Sequence, residues 1–218
     1  MDFYLDIISL LVLLSSFVLV ANKRVSSYIR TFRLQSLLIA ATAVVMGISG
    51  FNSSGSVHFF VLCLIILALK VFYIPRLLEK TFSRVEYIVQ KDFFLNIPMH
   101  VLVSCALVVF TYFALSKVDV VNDGRYFSCI VNSVSVVFIG LFFMIVRRKA
   151  IGQIVGFLVV ENGLFITAVF ATHGMPLVVD LGIFIDLITA VLIMGILVFR
   201  INETFETIDL DKLKKLRG

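Results

Sequence analysis

Charge is what this sequence has least of. Only 15% of its 218 residues are Asp, Glu, Lys or Arg, against about 25% in a soluble domain that must keep its surface wet. That shortage excludes an ordinary soluble fold. The three cysteines, Cys63, Cys105 and Cys129, fall inside apolar stretches with no CxxC spacing. Zinc and iron–sulfur sites need clustered ligands, so these cysteines read as small core residues. The chain also lacks a phosphate-binding glycine loop, an HExxH motif, a convincing haem-ligand pair and a nucleophile elbow. Redox chemistry or hydrolysis by this chain alone is therefore not expected, nor is a metal or cofactor of its own.

What is present is apolar. Hydrophobic residues make up 61% of the chain and the mean hydropathy is +1.09. A helix needs roughly 20 apolar residues to cross the hydrocarbon core. Seven stretches qualify, at about 3–21, 34–51, 57–75, 97–116, 127–146, 151–172 and 177–199. No alternating barrel pattern appears, and isolated strands would leave backbone groups unpaired in lipid. The expected fold is an all-α polytopic membrane bundle of seven transmembrane helices. The opening Met1-Asp2-Phe3-Tyr4-Leu5-Asp6 is acidic where a cleavable signal is basic, so the first run reads as a span.

The formal charge of +5 does not point to nucleic acid, because the basic residues form short clusters between apolar runs. Sixteen of the 19 lie after the first, third and fifth runs or in the tail. They include Lys23, Arg24, Arg30 and Arg33, then Arg76, Lys80, Arg84 and Lys91, then Arg147, Arg148 and Lys149. Cytoplasmic loops are the basic ones. The tail is thus expected in the cytoplasm and, with seven spans, the N-terminus outside. Pro75 and Pro98 bracket the longest connection, 75–96, whose spaced apolar residues suit a short helix on the membrane surface. The chain divides into a four-span half (1–116), a three-span part (127–200) and a cytoplasmic tail (201–218).

Ionisable side chains inside the membrane each cost roughly 2.5–3.5 kcal/mol at the centre on insertion scales. Four require explanation: Glu161, Asp186, Lys70 and Asp180. Glu161 is about ten residues into the sixth run and Asp186 about nine into the seventh, which puts both near mid-bilayer at 1.5 Å per residue. Two carboxylates at matched depth on consecutive helices suit a proton relay, since burial favours the neutral form of a carboxyl. The bland alternative is a pair of permanently protonated acids that hydrogen-bond neighbouring helices. Lys70, about five residues from the end of its run, either snorkels to the surface or holds a buried amine. Asp180 opens the seventh run, where a helix N-terminus also stabilises a carboxylate. His58, His100 and His173 sit at span ends and are unremarkable there. Gly152 and Gly156 form a GxxxG on the sixth run, and Gly182, Asp186 and Ala190 share one face of the seventh.

Two stretches carry a family resemblance. Arg147-Arg148-Lys149-Ala150-Ile151-Gly152-Gln153-Ile154-Val155-Gly156 leads to Glu161-Asn162-Gly163-Leu164-Phe165. Met175-Pro176-Leu177-Val178-Val179-Asp180-Leu181-Gly182 leads through Asp186 to Met194-Gly195-Ile196-Leu197-Val198-Phe199-Arg200-Ile201. Together they resemble the hydrogenase-4 component E family, membrane subunits of formate-hydrogenlyase-type complexes. The three-span part is in turn similar to chain 4L of the respiratory NADH:quinone oxidoreductase and to the C subunit of multi-subunit cation/proton antiporters. Glu161 lies five residues after Gly156, one turn displaced from the chain 4L pattern, which favours component E. The resemblance implies antiporter-like subunits, a quinone- or ferredoxin-linked arm and a [NiFe] hydrogenase large subunit as partners. It also implies a bacterial inner-membrane location and a role in the proton path. A C-type antiporter subunit and a structural membrane scaffold are the alternatives.

Overall fold

Within a bilayer, every backbone N–H and C=O must find its partner inside the protein. For an apolar chain with no alternating pattern, that leaves helices. The computed structural model is all-helical among its described residues, which are 2–49, 56–82, 96–118, 126–147, 150–172 and scattered positions between 181 and 195. Helix α1 is Asp2–Ala21 and α2 is Val25–Ser49. Helix α3, Ser56–Ile66, runs straight into a π-helical segment, Leu67–Tyr73, and then into α4, Ile74–Phe82. Helix α5 is Ile97–Leu115, α6 is Phe127–Val146 and α7 is Ala150–Ala171.

Among the described residues six helices are long and apolar enough to cross a membrane, with α3, the π segment and α4 contributing one of them. This is a multi-pass membrane protein. Large apolar side chains face outward at Leu64, Phe113 and Ile145, exposed by 68%, 62% and 79%. Only lipid or a partner could cover surface of that kind. The seventh expected span, 177–199, lies largely outside the described residues. The described positions within it (181, 182, 184, 185, 188, 189, 191, 193 and 195) are helical. The chain forms two units, Met1–Ile183 and Phe184–Gly218, and all the packing below belongs to the first.

The second and third spans differ from their expected bounds. Helix α2 begins at Val25 rather than 34, so Arg30 and Arg33 are helical residues rather than loop residues. Arg33 reaches across to Glu79 on α4 at 3.4 Å, a half-exposed surface pair. Pro75 does not end the third span. A proline has no N–H to offer the preceding turn, and the widened π turn before it absorbs the disruption, with the Ile74 N–H bonded to Leu69 O. Of the surface helix expected over 75–96, α4 is helical and the stretch 83–95 lies outside the described residues. Pro98 does mark a start, in the first turn of α5.

Helix α7 is the most enclosed of the six spans and α5 the least, 67% against 17% buried. Helix α7 packs against α6 and α2, while α2 also packs against α1, α3 and the π segment. Small residues bring α6 and α7 together. A side chain on Gly163 would meet Val137 Cγ2 at 2.8 Å and Ser133 O at 3.0 Å, and one on Gly156 would overlap Met144. The seam is therefore Gly140, Gly156 and Gly163 rather than the expected Gly152–Gly156 pair. Gly152 instead leaves room for the Arg147 side chain. Hydroxyls buried in these helices bond back to their own backbone, as Ser15 Oγ does to Val12 O at 2.6 Å and Ser135 Oγ to Val131 O at 2.7 Å.

Gly156→Leu should destabilise the protein by about 1–3 kcal/mol through overpacking, read by denaturant unfolding in micelles.

Candidate functional site

The buried stripe of the third span explains how a lysine comes to face inward. Leu62, Ile66, Lys70, Val71, Ile74 and Leu78 are all buried. Four-residue steps carry the stripe from Leu62 to Lys70, and then two adjacent residues both turn inward. A π turn inserts one residue into an α-helix and so keeps the positions on either side of it on the same face. Lys70 is only 2% exposed, and snorkelling is ruled out. The helical run continues to Phe82, so this ammonium lies in the middle of the span rather than near its end.

The Lys70 amine points at α7. Its Nζ donates to Asn162 Oδ1 at 3.0 Å and lies 3.5 Å from Glu161 Oε1. Glu161 is 6% exposed and Asn162 fully enclosed. Glu161 stands eleven residues past the start of α7, about 16 Å along its axis and close to mid-membrane. An ion pair at that depth has surrendered water on both sides. It persists only if its geometry and neighbouring hydrogen bonds compensate. Those neighbours come from α2 and α1. Asn162 Nδ2 donates to Gln35 Oε1 at 3.2 Å. Gln35 Nε2 donates to Ser16 Oγ at 3.0 Å and approaches Val12 O at 3.5 Å. A polar file thus runs from α7 through α2 to α1, past the π segment.

Arg147 forms a second buried charged centre, at the end of the bundle where α1 stops and α6 gives way to α7. It is 3% exposed. Its Nη2 donates to Val20 O at 3.2 Å and Asn22 O at 2.9 Å, carbonyls at and just past the C-terminus of α1, the second of which also accepts from the Tyr28 hydroxyl at 3.2 Å. The guanidinium also stacks over Tyr28 and Phe143, 5.0 and 4.6 Å from their ring centres. Burial pulls its pKa below the usual value and the Tyr28 phenol opposes that. A guanidinium titrates so high that it stays charged regardless. Towards the opposite ends of α1 and α6, Cys129 Sγ donates to Asp6 Oδ1 at 3.2 Å and Asn132 Nδ2 to Ser9 Oγ at 3.0 Å.

Of the four predicted site residues, the structure brings Lys70 and Glu161 together. Asp180 and Asp186 lie outside the described residues. His100 is buried on α5 with its ring edge-on to Phe142. Cys105 is exposed and Cys129 buried, so the core reading of the cysteines holds for the second and fails for the first. Among the described residues no group of His, Cys, Asp and Glu has the geometry to hold a metal ion. Three functional candidates escape the sequence reading. Arg147 reads there as one more loop charge, and Asn162 only as part of a motif. Gln35 sits at the margin of a span read as starting at 34. A second span begun at Val25 would have placed Gln35 near its middle rather than at its edge.

The six apolar helices among the described residues, with a buried lysine–glutamate pair between the third span and α7, define a multi-pass helical membrane protein with ionisable groups in its interior. The chain is 31% identical to the uncharacterized protein Rv0085 of Mycobacterium tuberculosis over 208 residues, covering 94% of this chain and 91% of that one. It belongs to that protein's family. Over 80 residues it is also 32% identical to hydrogenase-4 component E of Escherichia coli (strain K12), a match spanning 37% of each chain. Hydrogenase-4 component E of Shigella flexneri matches to the same extent. No family-wide profile and no solved structure matches the chain.

Arg147→Ala should cost about 1.5–3 kcal/mol, the worth of hydrogen bonds made by a charged donor. Arg33→Ala, which removes only a surface pair, should cost less than about 1 kcal/mol. Unfolding of both variants in micelles tests the contrast, and equal losses would contradict the burial argument.

Proposed function

We propose that this chain is a membrane subunit of a complex I-like, hydrogenase-type ion-translocating assembly, in which Lys70 and Glu161 form a proton-exchange site. One observation carries the chemistry: an amine and a carboxyl meet at 3.5 Å in the interior of a membrane protein. A lysine and a glutamate at that spacing share one mobile proton. Either both are charged or, after transfer, both are neutral, and the low dielectric narrows the gap between the two states. A third proton-accepting group brought near the pair draws the proton onward. Asp186 is the proposed second carboxyl of the path and Asp180 its proposed outer-end group.

The assembly reading is supported by the partial likeness to hydrogenase-4 component E and by the length of apolar helix. In that assembly the partners are antiporter-like membrane subunits and a redox arm bearing the hydrogenase centre. The location is the inner membrane, with seven spans, the N-terminus outside and the tail in the cytoplasm. The topology is supported by charge. Arg147 lies against the C-terminus of α1 and Arg33 against Glu79, so these basic clusters share one end of the bundle.

The test is Glu161→Gln, which keeps the shape and hydrogen-bonding capacity of the side chain and removes the exchangeable proton. The purified assembly should form normally and show at least a tenfold loss of proton uptake when reconstituted in liposomes. Unchanged uptake would reduce the pair to a structural tie between helices.

A further inference from the structure

Each polar contact in the file from α1 to α7 has a direction. Lys70 Nζ, as an ammonium, can only donate, and it donates to Asn162 Oδ1 at 3.0 Å. At the far end Val12 O, a main-chain carbonyl, can only accept. It already accepts from Ser15 Oγ at 2.6 Å and Ser16 Oγ at 3.3 Å. Because Ser16 gives its proton to Val12 O, its oxygen is left to accept from Gln35 Nε2 at 3.0 Å. Gln35 therefore turns its amino group to α1 and its carbonyl oxygen to Asn162. Asn162 Nδ2 donates to that oxygen at 3.2 Å, and its own carbonyl is thereby turned to Lys70. The two amides align head to tail: reversing Asn162 would set donor against donor at Lys70 and acceptor against acceptor at Gln35, and reversing Gln35 would set donor against donor at Asn162.

The consequence concerns the lysine. With its partner amide locked, the ammonium is held on Asn162 at hydrogen-bond distance and stands off from the Glu161 carboxyl at 3.5 Å. Without Gln35 the Asn162 amide would lose its anchor on α2, and the lysine would be free to move, carrying that carbonyl with it, onto the carboxyl. Among the described residues, the other elements packed here contribute uncharged groups at this depth: Ser16 and the Val12 carbonyl from α1, and Gln35 from α2. Of the charged side chains of α2, Arg30 lies nearer its start, and Arg33, two residues before Gln35, turns to the surface and pairs with Glu79. Arg147 lies at the end of the bundle.

We infer that Gln35 is a positioning residue of the Lys70–Glu161 site, acting through Asn162 by anchoring that amide where its carbonyl oxygen holds the lysine off the carboxyl. This rests on the proton-exchange reading above and adds to it the residue that sets the spacing of the pair. Gln35 itself carries no proton, since an amide is neither acid nor base in this range.

The experiment is an infrared titration of the purified full-length protein in lipid nanodiscs. The Glu161 carboxyl band is assigned by its loss in Glu161→Gln. Gln35→Met, of similar length and apolar, should displace the midpoint of that band by about one pH unit, equivalent to 1.36 kcal/mol. Because Gln35 acts through Asn162, Gln35→Met combined with Asn162→Leu should titrate as Asn162→Leu does alone. A midpoint that ignores Gln35→Met, or shifts that simply add in the double variant, would overturn the role of Gln35 and leave the proton-exchange reading standing. A Glu161 band that fails to titrate in the unmodified protein would contradict the proton-exchange reading instead. Should Gln35→Met not fold, magic-angle-spinning NMR of the unmodified protein reads the geometry directly. Lys70 Nζ should then show its contact to the carbonyl side of the Asn162 amide, and a contact to the amino side would overturn the inference.

Discussion

The Lys70 ammonium is the constraint around which the middle of this protein is arranged. A long cationic side chain in an apolar interior must either escape to a membrane surface or be supplied with acceptors where it stands. The second solution is the one adopted, and several features of the fold follow from it. The π turn keeps Lys70 on the inner face without abandoning the buried stripe on either side. The small-residue seam between α6 and α7 fixes the helix that delivers Glu161 and Asn162. The amides of Asn162 and Gln35 then pass the electrostatic demand to α1, where a carbonyl already inside its helix absorbs it.

A second centre follows the same rule at one end of the bundle. Arg147 is buried, yet its charge meets carbonyls at and just past a helix C-terminus. Two aromatic faces shield the rest of the guanidinium. The planar fork of an arginine suits this work, because it can reach two carbonyls and still stack. Lys70 and Arg147 thus serve different ends. The arginine ties three helix termini together and has no titration to offer, whereas the lysine faces a carboxyl on a neighbouring helix.

The broad fold is legible in the sequence because hydrophobic length is a direct physical requirement for crossing a membrane. The same logic singles out Lys70 and Glu161, since each costs too much in lipid to be incidental. That they meet is not legible. Their separation of 91 positions along the chain carries no information on rotation about the helix axes, and the π turn resets that rotation for Lys70. Pro75 invites a helix end because its missing N–H usually forbids continuation, and a local widening that removes the conflict leaves no plain composition signal. Arg147 shows the converse problem. Within a run of three basic residues, nothing in the sequence marks Arg147 as a side chain that turns inward.

The account stands on the Lys70 amine and the Glu161 carboxyl being energetically coupled within the bundle. A double-mutant cycle on unfolding in micelles, with Lys70→Met, Glu161→Gln and the two combined, measures that coupling directly. The account predicts an interaction energy in the range of about 0.5–3 kcal/mol, the size seen for side chains that share one network. Losses that add, with no coupling beyond about 0.3 kcal/mol, would mean the two groups do not sense one another.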